Sequence, residues 1–79
     1  MGDGIMSTRV FTAIVQREGD GYVAICPELD VASQGDTIEE SRKNLQEAVE
    51  LFLEAASSQE INERLHAETY LTRLEVNVG

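Results

Sequence analysis

From Val10 to Arg17 apolar and polar side chains alternate, with Phe11, Ala13 and Val15 on one face and Thr12, Ile14 and Gln16 on the other. A period of two predicts a strand. The Phe11 face is expected to meet a helix, while Val10 and Ile14 keep the opposite face partly apolar. Glu18-Gly19-Asp20-Gly21 then reads as a hairpin turn whose glycines supply positive φ. Tyr22 to Cys26 is expected to return antiparallel. Pro27 cannot donate a ladder hydrogen bond and ends that strand. Val31 to Gln34 reads as a short third strand after a loop over Pro27 to Asp30.

Beyond Gly35, which allows a tight bend, the spacing changes to threes and fours. Ile38, Ser41, Leu45, Ala48, Val49, Phe52, Ala55 and Ala56 form one stripe and predict a helix from Ile38 to about Ala56. Leu51 and Leu53 fall off that stripe and widen the apolar surface toward a second contact. Thr37 with Glu40, and Ser57 with Glu60, have capping-box spacing. The second box predicts a short helix around Glu60 to His66, anchored by Ile61 and Leu65. Thr69 to Val78 alternates again, with Tyr70, Thr72, Leu74, Val76 and Val78 on one face of a long last strand.

This order predicts an α+β two-layer sandwich, β-β-β-α-β, with the short second helix before the last strand. The right-handed crossover rule puts the last strand beside the first and parallel to it, in the spatial order 3-2-1-4. Residues 1–8 read as a flexible N-terminal lead-in, and residues 9–79 as a single domain. An edge strand ten residues long, carrying only Arg73 and Glu75 as charges, is expected to pair with a second copy. The expected assembly is a homodimer, or a dimer of dimers, through that strand.

Size and charge narrow the function. A chain of 79 residues makes one small domain, and domains of this size hide only about 60–65% of their unfolded surface. One cysteine excludes an internal disulfide, and no paired ligand spacing points to a metal or other cofactor. Oligomerisation is the remaining stabiliser. Fifteen acidic against six basic side chains give a net charge of −9. Nucleic-acid backbones are bound by clustered Lys and Arg, and here the basic residues are scattered, so neither DNA nor RNA is an expected partner. A positively charged protein is favoured instead. There is no run of some 18 apolar residues for a membrane span and no signal-peptide pattern at the N-terminus, so the expected location is cytoplasmic.

The run Cys26-Pro27-Glu28-Leu29, Ser33-Gln34-Gly35-Asp36-Thr37, Glu39-Glu40 and Asn44-Leu45, preceded by Tyr22-Val23-Ala24, resembles the HicB-type antitoxin family over roughly Val10 to Leu53. The resemblance implies a truncated ribonuclease H-like fold with the same strand order. It also implies membership of a type II toxin–antitoxin system, in which a non-catalytic domain neutralises a small basic RNA-cleaving toxin by masking its catalytic histidine and RNA-contacting surface. Many such proteins carry a C-terminal DNA-binding module. Here the sequence stops at Gly79, directly after the last strand, and no such module is expected. A rival reading is a stand-alone homo-oligomeric structural or regulatory module without a toxin.

Catalysis is not expected. Ribonuclease H-like nucleases hold two metal ions with carboxylates that include one on the first strand, and Val10 to Gln16 contains no acid. Cys26 reads as a small buried thiol, and His66 as a solvated residue near a helix C-terminus. Two acidic groups are the candidate partner-binding residues. Glu40, Glu47 and Glu54 recur every seven residues as a ridge on the helix, relieved only by Lys43, and Glu28 and Asp30 sit in the loop after Pro27.

Overall fold

The computed structural model describes residues 9–79. The lead-in expected at residues 1–8 lies outside the described residues. Three strands, β1 (Ile14–Glu18), β2 (Gly21–Cys26) and β3 (Val31–Gly35), are followed by two helices, α1 (Ile38–Ala55) and α2 (Ser58–His66). The sheet is antiparallel in the order β1-β2-β3. The protein is therefore α+β, with α1 lying over β3 and β2 and barely reaching β1.

Turn chemistry sets this register. Gly19 takes φ +59 between Glu18 and Gly21, which form the last pair of the β1–β2 ladder. Only the first of the two loop residues needs positive φ, as in a hairpin turn led by glycine. Gly21 serves a different purpose: a Cβ there would lie 2.8 Å from the Gly35 carbonyl oxygen. Asp30 ends the β2–β3 loop at φ 57, a conformation that a short polar side chain tolerates better than most.

β1 begins four residues later than the alternation predicts. Thr12 gives its backbone N–H to the Glu28 carboxylate at 2.9 Å, so at that point the backbone donor serves the β2–β3 loop. Phe11 and Val15 still pack on the core, whereas Ala13 is exposed.

The core is thin. Ala24, Cys26 and Leu29 from the sheet side meet Leu45 and Val49 of α1, with Ser41 buried beside them. Phe11, Val15, Val31, Phe52, Leu53 and Leu65 pack around this centre. The Ser41 hydroxyl donates to the Ile38 carbonyl at 2.9 Å, so it enters the core with its polar group satisfied. Two positions on the predicted stripe, Ile38 and Ala55, are exposed, and Leu53, which falls off the stripe, turns inward. Ile38 and Ala55 occupy the two ends of α1, and the buried side chains cluster on its middle turns.

Both caps form. Thr37 accepts from the Glu40 N–H at 3.0 Å, and Ser57 accepts from the Glu60 N–H at 3.1 Å. Neither box closes on its own cap residue. Glu40 reaches back to the N–H of Asp36, one residue earlier. Glu60 pairs with Arg64 at 3.3 Å. The second cap starts α2 at Ser58, two residues before the expected start.

The largest departure is at the C-terminus. Residues 69–78 form no strand, and every one of them is exposed. The described sheet has three strands rather than four. The reason is positional: α2 ends at His66 and the chain leaves it through Glu68 at φ 50, without returning along β1. The radius of gyration is 15.4 Å, against about 12 Å for a compact chain of this length.

Candidate functional site

The five acidic candidates separate by what holds them. Glu28 is tied into the fold. Its carboxylate accepts from the Thr12 N–H at 2.9 Å, the Thr12 hydroxyl at 2.7 Å and the Cys26 thiol at 3.5 Å. Burial acts to raise its pKa, but the hydrogen bonds from Thr12, the Glu28 backbone and Cys26 outweigh it, and the net direction is downward. Glu40 is likewise engaged, as the group that closes the start of α1. Asp30 is exposed, its position fixed by the left-handed backbone of the loop end.

Glu47 and Glu54 are exposed on the side of α1 turned away from the sheet and accept no hydrogen bond from any described residue. Lys43 forms no ion pair with Glu39, Glu40 or Glu47; among the described residues the ion pair found is Arg64–Glu60. The ridge is thus less neutralised than its sequence indicates. Leu51 adds to it. It follows Glu47 by four positions and precedes Glu54 by three, so the three side chains share one helix face. Leu51 is 65% exposed. The result is an apolar side chain flanked by two unpaired carboxylates.

Among the described residues no three His, Cys, Asp or Glu side chains gather closely enough to hold a metal ion. Cys26 and His66 do not pair. The thiol faces Glu28, and burial, followed by the nearby carboxylate, pushes its pKa up in spite of opposing backbone hydrogen bonds. His66 Nδ1 lies 2.7 Å from the Asn62 carbonyl oxygen in its own helix.

One residue with no assigned part in the sequence pattern proves central to the architecture. The Arg64 guanidinium donates to the Leu29 carbonyl and to Glu60, and lies 4.7 Å from the centre of the Phe52 ring. It joins α2 to α1 and to the β2–β3 loop. The signal in the sequence was weak: Glu60 and Arg64 are spaced as an (i, i+4) pair, but nothing there pointed to Phe52 or Leu29.

Among the described residues, no helix is long and apolar enough to cross a membrane. No family profile matches the chain, and no solved structure matches it. Three curated relatives do, all from Synechocystis sp. UPF0150 protein ssr1765 is 47% identical over 47 residues, 57% of this chain and 60% of that protein. UPF0150 protein ssl0738 is 49% identical over 45 residues, 54% of this chain and 62% of that protein. The match thus spans less than two thirds of either relative's length. UPF0150 protein ssr1258 is 39% identical over 51 residues, covering 62% of this chain and 74% of that protein. With that coverage, the chain belongs to the UPF0150 family.

Proposed function

We propose that this protein is a non-catalytic antitoxin-like domain of the HicB type, which neutralises a small, basic, RNA-cleaving toxin by direct binding in the cytoplasm. The observation that carries the reading is the Glu47–Leu51–Glu54 face of α1, where an exposed leucine stands between carboxylates without partners. A net charge of −9 draws a cationic protein toward it. Leu51 supplies the apolar contact that gives such an encounter a lifetime, because interfaces derive most of their energy from a few desolvated anchors. Asp30 adds charge at the loop end. The HicB resemblance, from Cys-Pro-Glu-Leu through Asn44-Leu45, is the second support.

Inhibition on this reading needs no chemistry from the chain; the acidic face covers the surface where the toxin would hold RNA. The rival reading, a homo-oligomeric structural or regulatory module, draws on the exposed apolar residues after α2. Size-exclusion chromatography with a small basic RNA-cleaving protein, sought among the products of adjacent genes, separates the two. The antitoxin reading expects a stable complex that weakens as salt rises. Separate elution of the two proteins at low salt favours the rival.

A further inference from the structure

We infer that residues Thr69 to Val78 of one copy add as a fourth strand to the free edge of β1 in a second copy, and that two chains exchange these strands reciprocally. The inference is independent of the antitoxin reading.

The segment has the composition of a sheet strand and none of the burial. Tyr70, Leu74, Val76 and Val78 share its one-sided alternation and are 80%, 84%, 70% and 91% exposed, and Leu71 on the other face is 69% exposed. Scattered surface apolar residues are ordinary, but a contiguous run is not. Its backbone N–H and C=O groups have no ladder partner among the described residues.

The sheet lacks a strand in the complementary place. β1 is paired only to β2, so its outer edge is open, and the helix that covers β3 and β2 hardly reaches it. A shallow groove lined by Arg9, Val10, Phe11, Glu28 and Leu65 lies where this edge begins. An open edge and an extended apolar segment in the same chain are complementary by main-chain hydrogen bonding.

The geometry at the end of α2 decides between a strand from the same copy and one from another. Ala67 caps the helix and Glu68 then adopts φ 50, so the chain turns out from the body. The long dimension of the molecule reaches 58 Å against 30 and 20 Å across. A segment directed outward meets the edge of a neighbour more readily than its own. Reciprocal exchange about a two-fold axis closes the assembly and leaves no apolar strand exposed. It also enlarges a core that holds five buried apolar residues among those described. The exchanged strand takes the position beside β1 that the crossover rule assigns to it, restoring the order 3-2-1-4 between two chains.

Two measurements test this on the full chain. Light scattering is expected to give twice 8.7 kDa, and the double substitution Leu74→Lys with Val76→Lys is expected to shift the mass to that of one chain. The second measurement does not depend on how well that variant folds. In a Cys26→Ser background, one protein carries Ala13→Cys and another carries a cysteine at Thr72, Leu74 or Val76. After mixing by unfolding and refolding, mild oxidation is expected to join the two proteins. Placing both cysteines in one chain and obtaining a disulfide within a monomer would overturn the inference in favour of the chain's own edge. A monomeric wild-type mass, or a dimer that no such pair cross-links, would overturn it as well.

Discussion

The carboxylate of Glu28 holds Thr12 at two points, accepting from its backbone N–H at 2.9 Å and from its hydroxyl at 2.7 Å. This clasp fastens the approach to β1 onto the β2–β3 loop, and it draws Glu28 away from the surface role that its place in an exposed acidic loop invites. Thr12→Val removes the hydroxyl donor and is expected to cost about 1 kcal/mol. Glu28→Ala removes the acceptor for both groups and is expected to cost about 1–3 kcal/mol. Urea unfolding of the two variants and of the double variant measures the coupling, and additive losses would show that the clasp contributes nothing as a unit.

The same group makes stability depend on pH. In the fold its pKa lies below its ordinary 4.5. Its contribution is therefore fully present above pH 4.5 and is lost as pH falls through the lower, folded value. Stability measured from pH 6 downward (about the range where carboxylates begin to protonate) is expected to decline more steeply for the wild type than for Glu28→Gln. Parallel curves would remove Glu28 as the cause.

Gly35 is fixed by the approach of the helix. A Cβ there would meet the backbone of α1 at 2.6 Å from the Ser41 nitrogen and 2.9 Å from the Glu40 carbonyl carbon. Backbone cannot move aside as a flexible side chain does. Gly35→Ala is expected to cost about 1–3 kcal/mol by forcing β3 and α1 apart. Thermal unfolding reads the loss, and an unchanged midpoint would contradict the contact.

Arg64 clamps α2 through Phe52, Leu29 and Glu60. Arg64→Ala is expected to free α2 while leaving the sheet and α1 intact, seen as faster amide exchange at Ile61 and Leu65 than at Leu45. Arg64→Lys is expected to restore little, because a lysine lacks the planar fork that serves the carbonyl and the ring together. Equal exchange in wild type and Arg64→Ala would show that α2 is held by its apolar side chains alone.

Cys26 is buried and its pKa is pushed up, first by desolvation. Reaction with a thiol reagent at neutral pH is expected to follow unfolding, because a protonated, covered sulfur is a poor nucleophile. Reaction at the rate of a free thiol in the native protein would place Cys26 at the surface.

Local patterns carried most of the fold. The hairpin at Gly19, the stop at Pro27, the caps at Thr37 and Ser57 and the Leu45–Val49 stripe all follow from residue chemistry within a few positions, and each appears in the structure. What stayed hidden depends on contacts distant in sequence. No periodicity shows that Thr12 spends its N–H on Glu28, which delays β1, or that Arg64 reaches Leu29 across 35 positions. Alternation in residues 69–78 reports a strand's chemistry but not which chain supplies its neighbour. At the acidic face, the spacing revealed the ridge, while the absence of a lysine pairing and the exposure of Leu51 required coordinates.

The most direct test of the account is RNA cleavage by a small basic toxin, sought among the products of adjacent genes, measured while this chain is titrated in. Wild-type protein is expected to protect the RNA near one equivalent. The charge-reversed variant Glu47→Lys with Glu54→Lys is expected to lose protection while keeping its unfolding midpoint. RNA that is degraded equally with and without the wild-type chain, or protection unaffected by reversing both charges, would contradict the claim that the acidic face of α1 acts by covering a cationic surface.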